Sequence, residues 1–190
     1  MRTFIAIELP ADVTAFLKRI QLQLKTAGAD VKWVEPKNIH LTLKFLGEIE
    51  EKLLDNLNGI LEEVSLGKSP FPARLMSIGA FPNIHSPRII WAGISEGDAQ
   101  IKQIAKELEE KIVHIGIPAE DRPFSSHITL GRLRSNFQKD KLAKKIQEIQ
   151  ASVEKENLAF TIKELTLFKS TLTPQGPIYE ALKKASLKIN

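Results

Sequence analysis

The stretch His40-Leu41-Thr42-Leu43 returns 87 residues later (127 − 40) as His127-Ile128-Thr129-Leu130. In a β-strand, side chains alternate between the two faces with period two. Read this way, His40 and Thr42 share one face, and Leu41 and Leu43 share the other. His127 and Thr129 share a face in the same manner, against Ile128 and Leu130. Each strand presents an imidazole beside a hydroxyl and anchors itself with two aliphatics. A single His-x-Thr in a strand is ordinary sheet surface. Two copies in similar surroundings, in a chain with four histidines, raise the question of a repeat.

The surroundings repeat as well. Thr3 to Leu9 reads as a strand closed by Pro10, with Asp12 as a candidate helix N-cap. Val13, Phe16, Leu17, Ile20 and Leu24 then recur at helical spacing, and Gly28 is the stop. Val31 to Val34 is a short strand, Pro36-Lys37-Asn38 a turn, and Ile39 to Leu46 the first His–Thr strand, ended by Gly47. Leu53, Leu54, Leu57, Ile60, Leu61 and Val64 form a second helical stripe up to Gly67, and a Pro-bounded strand runs from about Phe71 to Phe81.

There the order restarts. Arg88 to Ile94 is an apolar strand, and Asp98 is a candidate cap for the helix carrying Ile101, Ile104, Leu108 and Ile112, stopped at Gly116. A loop leads to the strand Ser126 to Leu133. Leu142, Ala143, Ile146 and Ile149 mark a basic helix whose lysines form a solvated face. Phe160 to Phe168 is the last long strand, and Pro177 to Leu182 a short closing segment.

Strand–helix–strand–helix–strand, twice, predicts an α+β protein of two pseudo-symmetric lobes. Each lobe would be a mainly antiparallel sheet with helices on its outer face, and the two would flank a central groove. The expected unit is one two-lobed domain, 1–190, with its architecture duplicated over roughly 1–83 and 87–175. A pseudo-twofold axis would set the two His–Thr faces opposite each other.

Composition limits the classes available. Across 190 residues, 43% hydrophobic and 26% charged describe an ordinary globular chain. No run approaches the roughly 20 apolar residues of a membrane span, and Phe4-Ile5-Ala6-Ile7 lacks a signal-peptide pattern. The expected location is cytoplasmic, with no membrane partner and no obligate protein partner evident. The absence of cysteine excludes disulfides and thiolate metal sites. A net charge of +4 permits a nucleic-acid partner without demanding one.

Two imidazoles facing across a groove form an acid–base pair, because a pKa near 6.5 lets one be charged and the other neutral. One would activate a water while the other protonates a leaving oxygen. Two threonine hydroxyls suit the non-bridging oxygens of a tetrahedral anion. In-line attack at phosphorus fits this arrangement. Zinc spacings such as H-x-x-x-H are missing, as are G-x-S-x-G, a P-loop and G-x-G-x-x-G. No metal or other cofactor is therefore expected. His85 and His114 have no counterpart in the opposite half and read as turn or helix-end residues. The rival from another class is an RNA-binding module that uses the same groove without catalysis; turnover of a cyclic phosphate separates the two.

The chain resembles the two-histidine phosphoesterases, and among them the RNA 2′,3′-cyclic phosphodiesterases related to bacterial 2′–5′ RNA ligase. The matching stretches are Arg2 to Pro10, Asn38 to Glu48, Pro87 to Gly93, Ser126 to Arg132 and Leu167 to Tyr179. Ser125-Ser126 departs from the proline these proteins often carry before the histidine. The resemblance implies two lobes around a water-filled groove and metal-free opening of RNA-terminal 2′,3′-cyclic phosphates to 2′-phosphates. It implies His40 as proton donor to the ribose 3′ oxygen, His127 as acceptor from water, and Thr42 and Thr129 on the phosphoryl oxygens. Joining a cyclic end to a 5′-hydroxyl as a 2′–5′ linkage would use the same groups. The expected partners are RNA with 2′,3′-cyclic phosphate ends or small cyclic-phosphate nucleotides.

Five residues after each histidine stand Phe45 and Arg132. Strict alternation turns both away from the histidines and makes Phe45 a core residue. Arg132, however, is hard to bury unpaired. A bulge or sharp twist at Lys44 and Gly131 would turn both toward the groove, where a base could lie between ring and guanidinium.

Overall fold

A computed structural model describes residues 1–189; Asn190, the last residue of the expected domain, lies outside the described residues. The chain runs β1 (Arg2–Glu8), α1 (Ala11–Lys25), β2 (Val31–Trp33), β3 (His40–Glu48), α2 (Leu54–Ser65), β4 (Phe71–Phe81), β5 (Ile89–Ile94), α3 (Asp98–Val113), β6 (His127–Leu133), α4 (Lys139–Glu156), β7 (Ala159–Ile162), β8 (Glu164–Thr173) and β9 (Gly176–Ser186).

The helical stripes are the buried faces: Val13, Phe16, Leu17, Ile20 and Leu24 on α1, and Ile101, Ile104, Leu108 and Ile112 on α3. Leu57, Leu61 and Val64 bury α2, and Leu142, Ala143, Ile146 and Ile149 bury α4. Each fully buried aliphatic contributes about 1.5–3 kcal/mol, which holds the helices to the outer face of the sheet. The two acidic caps fall differently from expectation. α1 begins at Ala11 after Pro10, and the Asp12 carboxylate accepts the N–H of Val13 from within the first turn. α3 begins at Asp98 itself, preceded by Gly97 at φ 83°, and Asp98 pairs with Lys102 one turn on.

Among the described residues the strands join into one nine-stranded sheet in the order β7-β4-β5-β6-β3-β1-β8-β9, with β2 paired to β6. Among the described residues every ladder between these strands is antiparallel. The first lobe is β3-β1-β8-β9 and the second β6-β5-β4-β7. They meet through one residue pair, Leu41 with Ile128. Beyond that pair β6 takes β2 as its neighbour through Val31 and Leu133. The sheet splays at its centre, and the groove opens there.

Each lobe takes strands from both halves of the chain. β4 pairs with β5 and β7, while β8 pairs with β1. The expected strand Phe160 to Phe168 is accordingly two, because the chain crosses from one lobe to the other at Lys163 between β7 and β8. The expected short closing segment is an 11-residue strand, β9, paired along β8. Its Glu180, Lys183 and Lys184 suit a partly exposed edge strand and obscure the strand pattern.

Candidate active site

β3 and β6 form strands for the same reason: an aliphatic at every second position packs against the helices. Leu41, Leu43, Ile128 and Leu130 are all buried, while His40, Thr42, His127 and Thr129 are partly exposed on the opposite face. Extending the Leu41–Ile128 register by one residue either way sets His40 opposite Thr129 and Thr42 opposite His127. The four side chains make a two-by-two array with the histidines at diagonal corners. Diagonal neighbours across an antiparallel pair are roughly 7–8 Å apart, room for one tetrahedral anion between them.

Both rings are held alike. His40 Nδ1 lies 2.7 Å from the Asn38 carbonyl oxygen, and His127 Nδ1 lies 2.8 Å from that of Ser125. A carbonyl only accepts, so Nδ1 carries the proton in each ring and Nε2 is free to exchange one. His40 Nε2 meets the Thr42 hydroxyl at 2.9 Å. Burial pushes the pKa of His40 below its ordinary value, against the carbonyl contact, which favours the charged ring. Burial lowers His127 too, and the Arg132 guanidinium adds to that. Aromatic rings pack around both histidines: Phe4 at 4.9 Å and Tyr179 edge-on at 5.4 Å from His40, and Phe81 edge-on at 5.1 Å from His127.

Strict alternation fails at the residue that matters. Ala6 pairs with Thr42 but Ile5 with Lys44, so Leu43 is skipped and both Leu43 and Lys44 face inward. Trp91 pairs with Thr129 but Ile90 with Gly131, so Leu130 is skipped in the same way. Two bulges, each at the same distance from its histidine, turn Phe45 and Arg132 to the groove side. Phe45 is 54% exposed, which overturns its reading as a core residue. Both line a cavity of about 700 Å³ together with His40, Thr42 and Thr129. Arg2, Lys32 and Arg134 join Arg132 in that lining against one acid, Glu35, a positive field suited to an anion.

The family profile of LigT-like phosphoesterases matches residues 7–91 and again 93–179, with one His-x-Thr in each match. The chain belongs to the LigT-like phosphoesterase family. A protein of Methanocaldococcus jannaschii named RNA 2′,3′-cyclic phosphodiesterase is 38% identical over 97% of this chain and 99% of its own. One of the same name from Aquifex aeolicus is 32% identical over 97% and 96%. A crystal structure from Thermus thermophilus superimposes with a TM-score of 0.81 at 30% identity, covering 98% of each chain. The apo structure of E. coli LigT, at 24% identity and a TM-score of 0.74 over 97% of this chain and 96% of its own, shares the fold.

In this LigT-like phosphoesterase His85 and His114 stand apart from the groove. His85 sits in an exposed turn and its N–H is bound by Asn83, and His114 follows the end of α3 with its ring on the Glu110 carbonyl. No group of three or more His, Cys, Asp or Glu among the described residues converges to hold a metal ion. None of the described helices is long and apolar enough to cross a membrane. Two further residues of the site lay inside the resembling stretches without a role. Asn38 fixes the His40 ring through its carbonyl and ties the β9 hairpin by donating from Nδ2 to the Pro177 carbonyl at 2.9 Å. Tyr179 walls His40 from that hairpin. Asn38 reads locally as a turn residue and Tyr179 as one residue of a closing strand, so neither carries a signal outside the fold.

Proposed function

We propose that this chain hydrolyses RNA-terminal 2′,3′-cyclic phosphates to 2′-phosphates by proton transfer through His40 and His127, without a metal ion. The observation that carries the reading is the diagonal pair of imidazoles, each with Nδ1 committed to a carbonyl and with Nε2 turned to the array, where that of His40 meets the Thr42 hydroxyl at 2.9 Å, a bond a substrate oxygen would replace. The names borne by relatives at 38% and 36% identity support the substrate class.

With the cyclic phosphate between the corners, water attacks from one side and the ribose 3′ oxygen leaves on the other. His127, whose neutral form Arg132 favours, takes a proton from the water. His40 gives one to the 3′ oxygen. A phosphorus–oxygen bond to water forms as the bond to O3′ breaks, and solvent restores the two rings. Thr42 and Thr129 donate to the phosphoryl oxygens, roughly 1.5–3 kcal/mol for each bond to a charged group. The terminal base lies between Phe45 and Arg132, a sequence-tolerant sandwich. An RNA 5′-hydroxyl in place of water gives a 2′–5′ linkage with the same groups.

The partner is RNA or a small cyclic-phosphate nucleotide, and the scheme calls on no cofactor, membrane or second protein. We also read residues 1–190 as one two-lobed domain of duplicated architecture, 1–83 and 87–175, supported by the two successive family matches. The deciding experiment incubates the purified protein with a short RNA ending in a 2′,3′-cyclic phosphate and identifies the product. A 2′-phosphate is expected. A 3′-phosphate overturns the assignment of the leaving oxygen, and binding without turnover leaves an RNA-binding groove.

A further inference from the structure

The concave face of the first lobe does not end at His40. Past Tyr179 it opens into a second cavity of about 710 Å³. Phe168 and Ala181 line it from β8 and β9 and Ala15 from α1; the charged side chains in its lining are Lys37, which pairs with Glu35 at 3.2 Å, Lys184 and the acid Glu8. Asn38, His40 and Tyr179 line both cavities, so the second begins where the first stops.

This space is built. The Phe168 ring, stacked on Phe4 at 5.2 Å and 18° between planes, provides an aromatic platform. Glu8 and Glu164 hold Lys184 at 2.9 and 3.2 Å, and Glu8 also accepts the Thr166 hydroxyl at 3.0 Å, which fixes the ammonium group at the edge of that platform. A volume of this order is that of a small-ligand site. An RNA end differs from a free cyclic nucleotide in one respect: the chain continues from the terminal ribose. Its next phosphodiester and base must leave the centre along an adjoining surface. Base stacking is indifferent to sequence, and lysines position phosphates.

We propose that this second cavity binds the nucleotide preceding the cyclic end, its base on Phe168 and Ala181 and its phosphodiester beside Lys37 and Lys184. The proposal rests on the activity assigned above and adds a length preference to it. KM is measured for a nucleoside 2′,3′-cyclic phosphate and for the dinucleotide and trinucleotide ending in the same group. The first extension lowers KM on the order of ten-fold, and the second adds little. Ala181→Phe and Ala15→Phe change exposed positions on two different walls, and each brings the dinucleotide-to-mononucleotide ratio toward unity, with thermal melting reporting the fold. Equal KM values for the two substrates in the wild type overturn the proposal, as does an advantage that survives both substitutions. A KM that rises as much for the mononucleotide as for the dinucleotide in Ala181→Phe overturns it too, since the terminal base then lies in this cavity. Wild-type protein that turns over neither substrate removes the activity itself, a result distinct from all of these.

Discussion

At the scale of single residues, His40 and His127 share one anchoring contact, Nδ1–H on a carbonyl two residues upstream. Proton transfers of this kind contribute about 10²–10⁴ in rate, so His40→Ala and His127→Ala each lower kcat by that much while melting stays near wild type. His85→Ala and His114→Ala leave turnover unaltered; a large loss from His114→Ala with none from His127→Ala dismisses the site. Excess EDTA leaves the rate intact. The pH profile follows from burial, which lowers both rings below their ordinary value near 6.5. The productive free enzyme holds one proton on the pair, so the maximum of kcat/KM falls on the acid side of that value. A bound anion favours the imidazolium, and both limbs of kcat move to higher pH than those of kcat/KM. A kcat/KM maximum above neutrality contradicts this order. Thr42→Val and Thr129→Val keep shape and strand propensity, and each costs about 10–10² in rate with stability hardly changed. Folding lost without a separate kinetic defect would make the threonines structural.

At the scale of elements, what is legible in the sequence depends on whether the determining contacts are local. The four helical stripes and the His–Thr strands follow from period and stop signals, and the structure buries most of the residues those patterns name, with Leu53, Leu54 and Ile60 of the second stripe only half-buried. Phe45 does not follow, because a bulge shifts parity by one and leaves no mark in a pattern that assumes none. The two bulges are also filled differently. Lys44 goes inward with its side chain 2% exposed, and its ammonium meets Glu109 at 2.7 Å and the Pro118 carbonyl at 3.0 Å. Gly131 has no side chain because β2 lies against it: a Cβ there would stand 2.7 Å from Val31 Cγ1 and 3.0 Å from Trp33 Cε3. Gly131→Ala therefore forces β2 away from β6 at an overpacking cost of about 1–3 kcal/mol, a fall of roughly 2–12 °C in Tm for a chain of this size. Val31, Lys32 and Trp33 line the groove, so KM rises along with it. An unchanged melting temperature shows that β2 accommodates the methyl group.

At the scale of the molecule, the doubling of element order is visible in sequence, but the exchange of strands between the doubled units is not. Periodicity reports which face a residue buries, and says nothing of which distant strand covers it. Of the eight ladders among the described residues, five join residues before 87 to residues after: β1–β8, β2–β6, β3–β6, β4–β5 and β4–β7. The helices cross as well. Gln21 of α1 donates to the Leu130 carbonyl of β6, and Glu109 of α3 holds Lys44 of β3. Residues 1–86 alone would retain only the β1–β3 ladder, leaving one flank of β1 and both of β4 without partners. Residues 87–190 alone would retain β5–β6 and β8–β9 with nothing between them. Isolated two-stranded pairs are marginal in water at best. Separately expressed fragments 1–86 and 87–190 are therefore expected to lack dispersed amide spectra and cooperative melting, and to recover both, with catalysis, only when mixed. Either fragment folding alone would mean that the exchanged ladders are dispensable and that each half carries its own core.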